Sequence, residues 1–217
     1  MNNILDISKE KFQTVLFDFD GVLAESADVK TEAFEKLYEP YGDEIVKKVI
    51  KHHIENGGIS RYKKIEYYHS EYLNTTLSKE GVEEIAKKFS ELVVEKVIEA
   101  TWVKGAKEFL EKNYKNIDLY VASGTPQKEL DFIVKERDME KYFKGVFGAP
   151  ETKDAIADRL ILKNNYNREK VLYIGDSLSD YYAAQKARIK FLGRVPKGMI
   201  STFPENVPFI SDFCDII

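Results

Sequence analysis

Asp18 and Asp20 end an apolar run, Thr14-Val15-Leu16-Phe17, and Gly21 follows at once. Residues two apart in an extended segment point to the same side, so both carboxylates can face one pocket. Anions that close need a cation or a proton to coexist. The plainer alternative for this segment is an acidic turn closing a strand. Two later segments repeat the pattern. Val121-Ala122 runs into Ser123-Gly124-Thr125-Pro126. Here Thr125 suits an N-cap and Pro126 a first helical position, which makes either an anion cradle of hydroxyls and backbone N–H groups or plain helix capping. Tyr173-Ile174 runs into Gly175-Asp176-Ser177-Leu178-Ser179-Asp180, either further site carboxylates or an acidic helix start favoured by the helix dipole. Lys153 follows the short Val146-Phe147 segment. Most lysines are solvated, but a pocket of four acids needs a cation. All four acids are oxygen donors without a Cys or His cluster, a set that suits Mg²⁺. A metal, a lysine, backbone donors and an in-line nucleophile together make phosphoryl-transfer chemistry.

The elements that must position these groups follow from periodicity. After Trp102, helical and strand patterns alternate. Strands are expected at 117–122, 145–148 and 170–175, and helices over 105–115, 126–136, 152–163 and 178–187. Lys190–Gly193 and Pro208–Ile210 are expected as edge strands. Alternation of this kind specifies a parallel sheet with helices on its faces. Between Asp28 and Ala100 the pattern is helical throughout. Four amphipathic stretches are separated by Pro40-Tyr41-Gly42-Asp43, Asn56-Gly57-Gly58 and Asn74-Thr75-Thr76. A parallel crossover needs only a dozen or so residues, so this segment reads as a helical bundle inserted beside the carboxylates. The fold class is therefore α/β, a Rossmann-like doubly wound parallel sheet with an inserted α-helical cap. Its core is expected at 1–27 and 102–217 and its cap at 28–101.

With these motifs in order, the chain resembles the haloacid dehalogenase superfamily, in its helical-cap phosphatase and phosphomutase branch. The resemblance runs from about Thr14 to Lys190. It implies an aspartyl-phosphate mechanism. Asp18 would be the nucleophile and a metal ligand. Asp20 would be the general acid and base, with its backbone carbonyl on Mg²⁺. Asp176 would bind the metal directly. Asp180 would act through water or by holding Lys153. Ser123 and Gly124, with Thr125, would bind phosphoryl oxygens. Asp20 argues against a dehalogenase, because expelling a halide needs no general acid at that position.

In the insert, Gly57-Gly58-Ile59-Ser60-Arg61 resembles the cap loop of the β-phosphoglucomutase-like group. That likeness implies that Arg61 grips a remote anionic part of the substrate. Mutases of that group carry a histidine where this chain has Lys30, which shifts the reading from mutase to phosphatase and makes Lys30 a candidate substrate contact. His53 and His69 fall near apolar stripes and read as packed side chains, not as metal ligands.

Bulk properties set the remaining expectations. A net charge of −4 leaves no footprint for nucleic acid or a membrane surface, and the scattered tyrosines form no base-stacking platform. One cysteine, Cys214, excludes an internal disulfide and fits a reducing compartment. Neither a signal peptide nor a spanning helix is evident from the polar Met1-Asn2-Asn3 start onward, so the cytoplasm is the expected location. The expected activity is Mg²⁺-dependent hydrolysis of a small phosphomonoester, a sugar phosphate or phosphoglycolate-like acid. The protein would be a monomer or small homo-oligomer. The alternatives are a phosphosugar mutase or a catalytically idle binding module.

Overall fold

In the first strand, β1 (Thr14–Phe17), Val15, Leu16 and Phe17 are fully buried, as a parallel strand covered on both faces requires. Successive side chains alternate between faces. Val15 and Phe17 join a core cluster with Phe109 and Phe213, whereas Leu16 joins the opposite cluster with Ile156, Leu160 and Tyr173. This computed structural model describes residues 7–216 except 9, 57 and 58. The N-terminal stretch Met1-Asn2-Asn3 and the pair Gly57-Gly58 lie outside the described residues.

Six strands form one parallel sheet: β1, β2 (Asp118–Pro126), β3 (Gly145–Ala149), β4 (Val171–Gly175), β5 (Lys190–Arg194) and β6 (Phe209–Ile210), in the order β3-β2-β1-β4-β5-β6. Phe17 is level with Val121 of β2 and Ile174 of β4. The chain therefore leaves β1 and β4 at nearly one height, beside the longer β2, at the usual ligand edge of an open α/β sheet. Two expectations are corrected. Lys190–Gly193 belongs to an interior strand, because β6 pairs outside it. Thr125 lies within β2 and not at a helix cap, since the strand continues to Pro126 before the next helix.

Four helices, α1 (Ala27–Tyr38), α2 (Asp43–Glu55), α3 (Arg61–Glu71) and α4 (Lys79–Glu99), lie between β1 and Trp102. They pack through an aromatic cluster in which Phe34 meets Phe89 at 4.5 Å and Tyr68 at 5.6 Å between ring centres. After Trp102 come α5 (Ala106–Asn113), α6 (Gln127–Glu136), α7 (Lys153–Asn164) and α8 (Leu178–Ala187).

The chain leaves the sheet and returns to it side by side. Glu25 N donates to Thr101 O and Val103 N to Leu23 O. Two core arginines tie this junction. Arg137 donates to the Val97, Ile98 and Ala100 carbonyls at the end of α4. Arg194 bonds Glu25 and the Gly21 carbonyl. No helix among the described residues is long and apolar enough to cross a membrane.

Candidate active site

Asp18 is the first residue past β1, and its amide still donates to Ile174 O at 2.9 Å. Its carboxylate is held on both edges: Phe19 N–H donates to Oδ1 at 2.8 Å, and Lys153 Nζ lies 2.9 Å from Oδ2. Lys153, the first residue of α7, also donates to Asp180 Oδ1 at 2.5 Å. The lysine is thus clasped between two carboxylates in a buried site, the pairing that buried charges require. Asp180 is fully buried, and its other oxygen accepts from the Ser177 hydroxyl and amide at 2.5 and 3.2 Å. Its acceptors are taken up by protein donors, which makes it a support for Lys153.

Asp176 differs. Among the described residues no hydrogen bond or ion pair engages its carboxylate, yet Asp18, Asp176 and Asp180 each bring an oxygen within 4.8 Å of the others. Burial, reinforced by the Asp18 and Asp180 charges, drives the Asp176 carboxyl well above the usual range. Burial likewise pushes Asp18 up to about 6 against the pull of Lys153. Three crowded carboxylates with one lysine leave an excess of negative charge that a divalent cation would neutralise. This hard-oxygen donor set fits Mg²⁺. Gly21 makes the crowding sterically allowed. Its φ is +73°, and a Cβ there would lie 2.1 Å from Asp176 Oδ2.

The Asp20 side chain turns away from this cluster. It accepts from Ser26 Oγ at 2.7 Å and from Thr125 Oγ1 at 3.3 Å, and it forms a close ion pair with Lys30. Lys30 also donates to Thr125 Oγ1 at 2.9 Å. Burial opposes the charged form of Asp20, but Lys30 and Ser26 prevail and hold the carboxyl below its usual range. Ser123 is buried, and its hydroxyl bonds the Thr125 amide and hydroxyl.

Asp18, Asp20, Asp176, Ser123, Gly124 and Thr125 line one cavity with Lys30, Arg61 and Lys64 from the helices above. Its interior room is about 80 Å³, enough for several waters or a small ligand.

Arg61 reaches the cavity wall, but its guanidinium is engaged elsewhere. It forms a two-point ion pair with Glu129 of α6, donates to Ser90 of α4 at 2.6 Å, and stacks on Phe89 at 4.4 Å. Arg61, expected to grip a remote anionic part of the substrate, thus lines the cavity with Glu129 already supplying a counter-charge. Sequence reasoning missed Glu129 and Lys64. Lys64 was findable, because it falls one turn after Arg61 on the same face of α3. The pairing with Glu129 left no local signal.

A family model for haloacid dehalogenase-like hydrolases matches residues 15–194. The chain belongs to this family. It is therefore a hydrolase by membership.

Among curated proteins it is similar to the phosphorylated carbohydrates phosphatase of Thermotoga maritima, at 29% identity over 187 residues, 82% of each chain. Among solved structures it resembles a predicted phosphoglycolate phosphatase of Haemophilus somnus, with a TM-score of 0.70, 20% identity and coverage of 94% of this chain and 96% of that one. CbbY of Rhodobacter sphaeroides in complex with phosphate gives a TM-score of 0.68 at 16% identity, covering 94% and 95%. These two likenesses are of fold.

Proposed function

We propose that this family hydrolase is a Mg²⁺-dependent phosphatase of small phosphorylated carbohydrates or phosphoglycolate-like acids, working through an aspartyl-phosphate on Asp18. The observation that carries the reading is the setting of Asp18: one face of a cavity, clasped by Lys153 and the Phe19 amide, beside an Asp176 carboxylate that no protein donor satisfies among the described residues. The similarity to the Thermotoga maritima phosphatase supports the substrate class.

Asp18, Asp176 and the Asp20 carbonyl would hold Mg²⁺. When bound, the ion screens the carboxylates and withdraws charge from the phosphoryl oxygens. Asp18 attacks phosphorus, forming the Oδ–P bond as the ester O–P bond breaks. Ser123 Oγ and the Gly124 amide receive the phosphoryl oxygens. The Asp20–Lys30 pair supplies a proton through Asp20 to the departing alkoxide, and Asp20 then takes one from the water that attacks the aspartyl-phosphate, which restores the pair and releases phosphate and free Asp18. Lys153 steadies Asp18 in its charged form, and Asp180 holds Lys153 in place. Lys30 takes the place of the mutase histidine and already grips Asp20, a feature that favours transfer to water over transfer to a sugar.

The test is hydrolysis of an aryl phosphate with Mg²⁺ by wild type and Asp18→Asn. Turnover by wild type, with loss in the variant and no incorporation of phosphate on it, is expected. Equal rates in the two proteins would overturn the assignment.

A further inference from the structure

Arg137, at the end of α6, is a cation that the chemistry proposed above does not use, and it is not among the residues that line the cavity. Helix α4 explains where its guanidinium points. The last carbonyls of a helix have no partner within the helix, and Ala100 already leaves α4 with φ −55° and ψ 140°. Arg137 Nη1 donates to the Val97, Ile98 and Ala100 oxygens at 2.9, 2.7 and 2.6 Å. A cation there also meets the negative end of the helix dipole. This orientation costs a hydrogen bond elsewhere, because Nε is buried and has no partner among the described residues. A core side chain thus caps the last helix of the insert.

The same guanidinium lies over two rings, 5.4 Å from the centre of Trp102 and 6.0 Å from that of Phe19, within reach of a cation–π contact. Phe19 is fully buried and stands between Asp18 and Asp20. Its N–H donates to Asp18 Oδ1 at 2.8 Å, and its carbonyl accepts from the Leu23 and Ala24 amides at 2.9 and 3.2 Å. Ala24 in turn bridges to Trp102. Phe19 therefore fixes the nucleophile candidate on one side and the turn that carries Asp20 on the other, and its ring packs under Arg137. We propose that Arg137 is a positioning residue: pinned by the end of α4, it holds the Phe19 ring and, through it, the backbone that aims Asp18 and Asp20. The inference rests on the phosphatase reading and adds to it a residue remote from the cavity. It makes the point where the insert rejoins the core part of the geometry of the site.

The test pairs kinetics with hydrogen exchange, on the full chain with Mg²⁺. Arg137→Met should lower kcat for an aryl phosphate by about 10²-fold, the scale of a misplacement of about 1 Å at the reacting groups, with little change in KM. Arg137→Lys, which returns a charge to the end of α4, should recover part of that loss. Phe19→Leu should lower kcat similarly, and adding Arg137→Met to it should cost little more, because the two act as one unit. In Arg137→Met the amides of 22–24 and 100–103 should exchange faster, with those of β4 and α7 as in wild type. Should Arg137→Met not fold, Arg137→Lys carries the same comparison. Absence of aryl phosphate hydrolysis by wild type would remove the phosphatase reading, and the exchange pattern would still decide the role of Arg137. An unchanged kcat per folded molecule, faster exchange confined to 100–103, or faster exchange spread evenly through the chain would overturn the proposal.

Discussion

Lys30, carried by α1 above the sheet, grips the Oδ2 atom of Asp20, two residues past the nucleophile candidate at the end of β1. The bond crosses from the inserted helices to the core and sets the charge state of the residue proposed to move the proton. Together with Thr125, Lys30 also ties the second strand end to the first.

Removing that lysine should move the proton. Lys30 holds the Asp20 carboxyl below its usual range, whereas burial alone pushes it up. In Lys30→Met the carboxyl therefore rises, and the limb of the pH–kcat profile that Asp20 governs shifts to higher pH. A profile that superimposes on that of wild type would detach Lys30 from the acid–base step.

Asp20→Asn should lower kcat on an alkyl phosphate by about 10²- to 10⁴-fold, the usual contribution of a positioned acid–base group. An aryl phosphate, whose leaving group needs less protonation, should suffer less in the first step. Rapid-quench detection of phosphate on Asp18 reads the two steps separately. Near-normal turnover of the alkyl ester would contradict the role.

Chelation offers a check on the carboxylate cluster. EDTA should abolish turnover and Mg²⁺ should restore it. Mg²⁺ should also raise the Tm of wild type by mass action. In Asp176→Asn that rise should vanish, because the only cluster carboxylate left without a protein donor among the described residues has lost its charge. A Tm that rises equally with Mg²⁺ in both proteins would place the ion elsewhere.

The Arg61–Glu129 pair joins α3 to α6 in a buried setting, with side-chain exposures of 4% and 11%. Breaking one side strands a buried charge, at a cost of about 3–5 kcal/mol. Arg61→Met and Glu129→Gln should each destabilise the fold. Removing both should cost less than the sum, and a urea-unfolding double-mutant cycle measures the difference. Additive losses would show that the two side chains act independently.

The carboxylates of the candidate site were legible because each motif is local. An apolar strand, an acid at its end and a glycine to turn on lie within a few consecutive residues, and the two-residue repeat of an extended chain puts Asp18 and Asp20 on one side. The parallel sheet followed from the alternation of patterns after Trp102, and the helical insert from a crossover far longer than geometry needs. Where propensity met pairing, pairing won. Lys190–Arg194 became an interior strand because Phe209 and Ile210 add outside it, and Thr125 stayed in β2 beside β3 although Pro126 suits a helix start.

What the tertiary structure alone decided is which charge answers which. Lys30 and Asp20 are separated by α1's entry into the insert, and Arg61 and Glu129 by 68 residues. No spacing rule links such positions, since their distance depends on how the helices settle over the sheet. That settling pairs Arg61 with Glu129, binds Lys30 to the acid, and leaves Lys64 buried in the cavity wall with only neutral acceptors among the described residues. The sequence by itself determined the kinds of group available for chemistry and the strand ends that bear them. Packing between distant segments determined their partners, because the cost of burying a charge is settled by whatever the fold brings beside it.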